Sequence, residues 1–518
     1  MNRFMMHGKM LFAGVAFASL ALGIPAAMAE SAADTLVIAK PADPQTLDPA
    51  VTVDNNDWTV TYPIYQRLMK YEVKDGKGLT SVTGDLAERW ETSADGLTWT
   101  FKLKDGQKFD DGTPVDAAAI KYSFDRLFRI GQGPSEAFPK GIDVTAVDPQ
   151  TVKFTLKETF APFLYTLANN GAAIVNPNVA EKGDDGKDWL ASHSAGSGAY
   201  RLANWERGQS VVLEANPHFG GQKPALGNIR ITIVAEPSAR RLQLEAGDVD
   251  IAERLPNDQL DAVKGDKGVS VGSFPSLKVT YLYMNNQQVP LDNVEVRKAI
   301  SYAIDYDGVI GGLLGGNGKQ MRGPIPEGMW GRDDSIVQYK HDVAKAKELL
   351  ANSGSDKKDI TFLYSDSDPN WEPIAIATQA NLAEIGLNVK LEKLANATMR
   401  ERFDKGDFAM ATGNWSPDFA DPYMFTNYWF HSSRHGLAGN RSWYSNKEVD
   451  ELLDKAAAST DQVEREKLYA EVQKVVTDEA AYVYLFQKDY RLAMRDRVKG
   501  FVFNPMLEDI YNIADMNK

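Results

Sequence analysis

Strand-like and helix-like segments alternate along nearly the whole chain of 518 residues, and this alternation constrains the fold more than any other feature. β-Branched residues at 229–234 predict a strand, and the amphipathic pattern at 238–246 predicts a helix after it. The same order returns as a strand at 360–364, a helix at 373–385 and a strand at 389–394. Such units are typical of α/β proteins with partly parallel sheets, so we predict an α/β fold.

The length predicts more than one domain, because single hydrophobic cores stop growing beyond ~250–300 residues. The sequence contains no internal repeat and no stretch rich in Ser, Gly and Pro that would act as a flexible linker. Domains without such a linker are typically joined by strands that cross a hinge. We therefore expect two lobes that can close on each other.

The first 29 residues carry the pattern of a secretory signal peptide. Arg3 and Lys9 give a basic start, residues 10–23 are apolar, and Ala27 and Ala29 form an A-x-A cleavage pattern. The alternative is a membrane anchor, but the apolar stretch is shorter than the ~20 residues that a spanning helix needs. We predict cleavage after Ala29 and a location in the periplasm.

The amino-acid composition excludes several classes of function. The chain contains no cysteine, which excludes disulfides, thiolate nucleophiles and iron–sulfur clusters. Lys and Arg number 57 against 71 Asp and Glu, and the formal net charge is −14. Because a negatively charged surface repels phosphate backbones, we do not expect a nucleic acid as a partner.

Short motifs of enzymes and metal sites are incomplete in this sequence. His431 and His435 have a spacing that suits zinc on a helix, but the Ser, Arg and Gly around them indicate a loop. Ser197 lies between glycines, yet the G-x-S-x-G frame of a nucleophile elbow fails because Ala195 occupies its first glycine position. The glycines before Lys319 do not complete a phosphate-binding loop. We predict no catalytic residue, no metal and no cofactor.

Five ordered segments carry a resemblance to one known family. They are DPQTLDPA at 43–50, the stretch at 86–127 that begins LAERWET, GSGAYRLANW at 196–205, YLYMNN at 281–286 and VRKAISYAIDYDGVI at 296–310. Together they resemble the periplasmic solute-binding proteins of peptide-type (dipeptide and oligopeptide) ABC importers, solute-binding family 5. The similarity covers practically the whole chain after the signal peptide.

The resemblance implies a two-lobed periplasmic binding protein clamp of type II. The first lobe would hold residues 30–284 and 489–518, and its insertion at about 72–190 would form the extra subdomain of the peptide-binding family. The second lobe would hold residues 285–488. The family implies a monomeric receptor, not an enzyme, that captures a peptide between the lobes. It would deliver the peptide to inner-membrane ABC permease subunits, while separate subunits hydrolyse ATP.

A ligand-binding aspartate is implied by the W-x-x-D motif of this family. Trp415 and Asp418 match that motif in the segment GNWSPDFADPYMF, and the resemblance assigns Asp418 to the α-ammonium group of the ligand. Such a charge-assisted bond contributes ~1.5–3 kcal/mol. Trp415 would form an aromatic wall, while Asn414 and Ser416 would contact the ligand through their backbones. The alternative for Asp418 is a solvated loop aspartate.

Candidates in the first lobe follow the first predicted strand. The loop at 53–58 reads VDNNDW, and we select Asn55, Asn56 and Trp58 from it as ligand-binding candidates. Its acidic, amide-rich composition suits a cationic or polar ligand. A solvated loop explains the same composition equally well.

The segment LYSDSDPNWEP at 363–373 departs from the pattern of strict dipeptide binders, which place an arginine there for the carboxylate of the ligand. This sequence has Asp366 and Asp368 and no arginine, and acidic residues repel a carboxylate. Longer peptides therefore stay open as ligands, as do opines, oligosaccharides, glutathione and metal complexes. A secreted hydrolase and a chaperone-like peptide clamp are alternatives from other classes of function.

Overall fold

A computed structural model describes residues 34–365, 367–368, 370–437 and 439–518. The predicted signal peptide (1–29) and Asp366 lie outside these residues. Within them, no helix is both long enough and apolar enough to cross a membrane.

The described chain alternates strands and helices as the sequence predicts. The strands are β1 (Thr35–Lys40), β2 (Met69–Lys74), β3 (Lys77–Gly84), β4 (Ala87–Thr92), β5 (Thr98–Leu103), β6 (Asp143–Asp148), β7 (Thr151–Thr155), β8 (Tyr200–Glu206), β9 (Ser210–Ala215), β10 (Asn228–Ile233), β11 (Ile251–Ala252), β12 (Val269–Met284), β13 (Gly318–Gln320), β14 (Asp359–Ser365), β15 (Asn388–Leu394), β16 (Met410–Trp415) and β17 (Tyr482–Arg495). The α-helices are α1 (Asn55–Ile64), α2 (Ala117–Ile130), α3 (Phe163–Thr166), α4 (Lys187–Leu190), α5 (Pro237–Ala246), α6 (Asn257–Val263), α7 (Val294–Ala303), α8 (Tyr306–Leu314), α9 (Val343–Asn352), α10 (Trp371–Glu384), α11 (Asn396–Lys405), α12 (Asn427–Phe430), α13 (Lys447–Ala458) and α14 (Gln462–Asp478).

One sheet of 11 strands forms the main framework, with the order β15-β14-β16-β12-β17-β11-β1-β10-β9-β8 and β13 added to β17. Toward one end, β14 pairs in parallel with β15 and β16. Toward the other end, β1 pairs in parallel with β10 and β11. The long antiparallel strands β12 and β17 join these two parallel regions. The predicted mixture of α/β units and crossing strands is therefore present.

Strand β12 changes its neighbours along its length. Residues 269–275 pair with 489–495 of β17, on the side of β11 and β1. Residues 279–284 lie between β16 and β17. The ladder is interrupted between Pro275 and Val279, which makes a bulge at 276–278.

Helix α2 shows how the local sequence sets an element that the pattern predicts. The Asp116 carboxylate caps the first turn by accepting a hydrogen bond from the Ala119 amide at 2.9 Å. Gly131 ends the helix in the left-handed region at φ 61°. Ile120 and Phe124 lie on the buried face, so the amphipathic pattern places this face against the core.

A smaller sheet, β4-β5-β7-β6, and the hairpin β2-β3 lie within the part of the chain predicted as an inserted subdomain. Their core is aromatic: the Phe154 ring is 4.9 Å from that of Phe124 and 5.7 Å from that of Phe101. Phe163 of α3 packs on the same ring at 5.4 Å. These rings form the local part of a hydrophobic core that continues to the residues of β12 and β16.

The glycines of the GSGAY motif allow close backbone packing before β8. A Cβ atom at Gly196 or Gly198 would collide with the backbone carbonyl groups of Ile64 and Pro63. The Gly198 amide donates a hydrogen bond to the Ile64 carbonyl at 2.7 Å. Only residues without a side chain fit here, because α1 ends directly against this turn.

Two strands are longer in the structure than the apolar runs that mark them in the sequence. The run at 279–284 belongs to a strand that begins at Val269, and the run at 481–486 belongs to a strand that continues to Arg495. Gly272 and Pro275 weaken the β-pattern of the first extension, and polar residues weaken that of the second. Each extension supplies the partner of the other, so a tertiary pairing makes both strands.

Candidate functional site

A cavity of about 230 Å³ lies where distant parts of the chain meet. Its walls come from residues within 53–58, 168–170, 277–278, 416–418 and 505–510. These include the start of α1, the bulge of β12, the loop after β16 and the segment after β17. A pocket formed by polar groups from many elements is typical of a binding site for a small molecule.

The loop after β16 brings Asp418 into this cavity. β16 is paired along its length with β12, and the Trp415–Val279 pair is the last of this register. Asp418 follows three residues later, and its backbone carbonyl accepts a hydrogen bond from the Asn169 side chain at 2.7 Å. This bond connects the loop to Asn169, which also lines the cavity.

A buried ion pair holds the base of the same loop. Asp421 accepts two hydrogen bonds from the Arg465 guanidinium, at 2.7 and 2.8 Å, and both side chains are almost completely buried. The Asp421 carboxylate also accepts a hydrogen bond from the Tyr423 amide at 2.9 Å. A bidentate pair with a third bond restricts the loop strongly, which fixes the position of Asp418.

The Asp418 carboxylate has no hydrogen-bond or ion-pair partner among the described residues. Asp418 is exposed to solvent, although the protein around it removes part of the hydration of its carboxylate. This desolvation, and to a lesser degree the negative charge of Glu136, raise the pKa of Asp418 to about 6. At neutral pH it is therefore mostly ionised and unpaired, which is the state that attracts a cation.

The start of α1 supplies another part of the cavity lining. Asp54 caps this helix by accepting a hydrogen bond from the Asn56 amide at 2.7 Å. Asn55 and Trp58 both line the cavity, and Asn55 donates a hydrogen bond to the Glu508 carbonyl at 3.4 Å. The indole nitrogen of Trp58 is buried and has no partner within the described part of the chain. A buried donor of this kind can bind a carbonyl group of a ligand.

Comparison with known proteins gives the family of this fold. The profile described as "Bacterial extracellular solute-binding proteins, family 5 Middle" matches residues 81–436. The chain belongs to this family. Solute-binding family 5 therefore accounts for the two-lobed clamp and the periplasmic location that the sequence predicted.

Individual members of solute-binding family 5 resemble the chain over nearly its full length. The probable D,D-dipeptide-binding periplasmic protein DdpA of Escherichia coli K12 is 59% identical over 501 residues, which cover 96% of this chain and 97% of that protein. The structure of HbpA2 from Haemophilus parasuis has a TM-score of 0.85 at 26% identity, covering 93% and 99% of the two chains. The ABC transporter-associated protein DppA from Helicobacter pylori, in complex with the peptide STSA, has a TM-score of 0.73 at 27% identity, covering 92% and 98%.

The structure brings four of the seven predicted site residues of this family 5 protein into one cavity. Asn55 and Trp58 come from the start of α1, and Ser416 and Asp418 come from the loop after β16. These two groups are more than 350 residues apart in sequence, and the fold brings them to the same cavity.

The other three predicted site residues are neighbours of the cavity and do not line it. The Asn414 side chain donates a hydrogen bond to Asp368 at 3.4 Å, and the Asn56 side-chain oxygen is buried without a partner in the described structure. Trp415 packs near Tyr428, with ring centroids 6.1 Å apart. In this arrangement Trp415 supports the loop that carries Asp418 from behind.

Sequence reasoning missed two charged residues of the cavity, Lys278 and Glu508. Burial and the neighbouring Asp509 raise the pKa of Glu508 to about 7, against the opposing effect of the Lys278 charge. Neither residue belongs to a motif, and the only signal was their charge next to apolar neighbours in a strand and a tail. Amide side chains at 169–170 were missed for the same reason.

The two histidines and the serine that resemble parts of metal-binding and catalytic motifs do not line this cavity. His435 contacts the Tyr444 carbonyl at 2.8 Å, and His431 contacts Asp454 at 3.1 Å. The Ser197 hydroxyl is completely buried and, within the described structure, has no hydrogen-bond partner. An attacking water or a substrate would have no route to such a hydroxyl.

A second, more aromatic cavity of about 710 Å³ adjoins the first. Pro505 lines both cavities, and the larger one is lined further by Phe274, Phe503 and Trp330. The Phe274 and Phe503 rings are stacked with centroids 5.0 Å apart. The segment after β17 thus separates a polar cavity from an apolar one.

Proposed function

We propose that this protein is a periplasmic receptor that binds short peptides by their free amino terminus and delivers them to ABC permease subunits of the inner membrane. The observation that carries the proposal is the ionised, unpaired Asp418 carboxylate in this cavity. The peptide in the Helicobacter pylori structure supports the choice of peptides, and so does the relative in Escherichia coli, a probable D,D-dipeptide-binding protein.

The chemistry of the cavity suits an α-ammonium group. Removing a carboxylate from bulk water without a partner is costly, and a bound ammonium offsets that cost with a charge-assisted hydrogen bond. Ser416, Asn55 and the amides at 169–170 add neutral donors and acceptors around Asp418. Such groups bind the peptide backbone without regard to its side chains.

The ligand class follows from the charge of Asp418. A neutral oligosaccharide, an opine or a metal complex without a primary ammonium group would leave the carboxylate unpaired. Glutathione carries such an ammonium group and is a second candidate of the same chemistry. Among peptides, the 59% identical relative favours dipeptides of D residues.

We further propose a monomeric clamp of two lobes with an insertion at about 72–190 in the first lobe. The sequence divides the lobes as 30–284 with 489–518, and 285–488. The pairing of β17 supports the crossing near residue 488. The neighbours of β12 move the first crossing to the bulge at 276–278, because residues 279–284 already lie beside β16. Closure of the lobes would bury the peptide and present a surface to the permease.

We propose that the receptor leaves the covalent bonds of its ligand intact. Transport would then depend on binding, closure and release, and ATP hydrolysis would occur in separate subunits. The mass of the ligand recovered from the protein reports this directly. A ligand that is cleaved during incubation with the purified protein would contradict a pure binding function.

The experiment begins with mass spectrometry of any ligand released by denaturing the purified mature protein. Ligand-free, refolded protein is then titrated calorimetrically with alanyl-alanine in its D,D and L,L forms, each with a free or an acetylated amino terminus. We expect binding of the free-amine forms and much weaker binding of the acetylated forms. Equal affinity for both forms, or release of an amine-free solute from the native protein, would refute the proposal.

A further inference from the structure

Two consecutive residues of the bulge in β12 border the cavity. In a regular strand, adjacent residues present opposite faces, yet Leu277 and Lys278 both line it. The ladder with β17 is interrupted between Pro275 and Val279, which frees this stretch from the alternation. The bulge thus re-aims Lys278, as bulges beside binding sites commonly do.

Buried hydrogen bonds hold the bulge in this conformation. The Ser276 hydroxyl accepts a hydrogen bond from the Lys278 amide at 3.1 Å and donates one to the Lys488 carbonyl at 2.7 Å. The Gln487 side chain donates to the Ser276 carbonyl at 2.6 Å. Ser276 and Gln487 are both buried, so the backbone that carries Lys278 is firmly placed.

The Lys278 ammonium is available to a ligand. No ion pair or side-chain hydrogen bond of this ammonium exists within the described residues, although the side chain is half-buried. It is also the only basic side chain that lines the cavity in the described part of the chain. An ammonium group supplies three donors, which suits a carboxylate.

Other carboxyl groups do not cancel this charge. Glu508 lies in the same cavity, but burial raises its pKa to about 7, so it carries only part of a negative charge near neutral pH. Asp418 lines the cavity from the loop after β16, a different element from the β12 bulge that carries Lys278. The cavity therefore presents a fixed cation and a fixed anion at separate places.

We propose that Lys278 binds the terminal carboxylate of the ligand while Asp418 binds its ammonium, so that the cavity accepts both ends of one short zwitterionic peptide. This inference rests on the proposed function of Asp418. The stretch after β14 offers no substitute, because its described acidic residue, Asp368, bonds to Asn414 and carries the wrong charge. A volume of about 230 Å³, below the ~300–1,000 Å³ of pockets for drug-sized ligands, suits a dipeptide.

The test compares Lys278→Met with wild type against alanyl-alanine that has either a free carboxylate or a C-terminal amide. In wild type we expect the free acid to bind about 10- to 100-fold more tightly than the amide. Lys278→Met should lose this preference by weakening the free acid alone, and Lys278→Arg should keep it. Lys488→Met is the matched control, because Lys488 lies on β17 opposite the same bulge and does not line the cavity.

The possible results separate this inference from the function on which it rests. In one outcome, free-amine peptides bind to wild type, but Lys278→Met weakens the binding of the free-acid and amide peptides equally, or of neither peptide. The assignment of Lys278 to the carboxylate is then wrong, and the role of Asp418 stands. If wild type binds no peptide, both are wrong. Circular dichroism and thermal unfolding of each variant show whether a loss of binding reflects a loss of fold.

Discussion

Replacing Asp418 by asparagine removes one negative charge and leaves the size of the side chain nearly unchanged. The carboxylate accepts no hydrogen bond within the described residues, so the substitution leaves no protein donor without its acceptor. The nearby Asn169 bond goes to the Asp418 backbone carbonyl and is kept. Asp418→Asn therefore tests the interaction with the ligand and little else.

The size of the effect follows from the type of bond. A charge-assisted hydrogen bond contributes ~1.5–3 kcal/mol, and each ~1.4 kcal/mol is a factor of ten in the dissociation constant. We expect peptides with a free amino terminus to bind about 10- to 150-fold more weakly to the variant. N-acetylated peptides, which carry no ammonium, should lose less than about threefold, a free energy below RT ln 3.

Calorimetric titration of ligand-free protein measures both ligands with both proteins and completes a double-mutant cycle. Asp368→Asn is a matched control, because Asp368 is an aspartate near the same loop that does not line the cavity. Equal losses for free and acetylated peptides would show that Asp418 acts through the structure of the loop. That result would refute the reasoning from charge.

The substitution Asp418→Asn should weaken peptide binding but should not weaken the stability of the ligand-free protein. The folded-state pKa of Asp418 is raised to about 6, so its ionised form lowers stability, and this loss grows as the pH rises from about 4 to above 6. Asp418→Asn removes the effect and should leave the ligand-free protein as stable as wild type or more stable at pH 7.5. We expect a gain of at most ~1 kcal/mol, because water in the cavity screens the charge. Thermal unfolding at pH 4.5 and 7.5 measures the difference.

Three further predictions concern pH, the anchored loop and the glycine turn. Peptide affinity, measured calorimetrically, should fall as the pH drops below about 6, because Asp418 becomes protonated. The affinity of Asp418→Asn should change little over the same pH range. An unchanged wild-type affinity at pH 5 would contradict this prediction. Arg465→Met should lower the free energy of unfolding by ~3–5 kcal/mol, because Asp421 is left buried and unpaired; denaturant titration measures this, and a loss below 1 kcal/mol would contradict it. Gly198→Ala should destabilise the protein by ~1–3 kcal/mol in the same assay, since its Cβ would meet the Pro63 carbonyl. The control Gly312→Ala, which lies in α8 with open space around it, should cost nothing.

The elements of the fold could be predicted where local signals agree. The amphipathic run at 115–127, with Asp116 near its start, predicts α2, which spans Ala117–Ile130 and so extends three residues further at its end. The strand pattern at 360–364 predicts β14, which spans Asp359–Ser365. These signals need no information from distant parts of the chain, because caps and periodicity act over a few residues.

The cavity could be predicted only in part. Asp418, with the tryptophan before it, stood out through its motif, and Asn55 through the loop after the first strand. Lys278 did not, because its position depends on a bulge that β17 imposes from more than 200 residues away. The Asn169–Asp418 hydrogen bond likewise spans 249 positions, and no local pattern specifies such a contact.

The interrupted ladder between β12 and β17 also has a mechanical consequence. Two hydrogen-bonded strands resist bending within the plane of the sheet. They bend most easily out of that plane, at the point where the ladder of hydrogen bonds is interrupted. At 276–278 the side-chain bonds of Ser276 and Gln487 replace the regular ladder, so we expect the two halves of the large sheet to turn about this point while the bulge keeps its own conformation. Lys278 lies at this pivot, whereas the loop of Asp418 belongs to one of the moving halves. The distance between Lys278 and Asp418 would then change with the angle between the lobes. Each closure would therefore compare this distance with the length of the bound ligand.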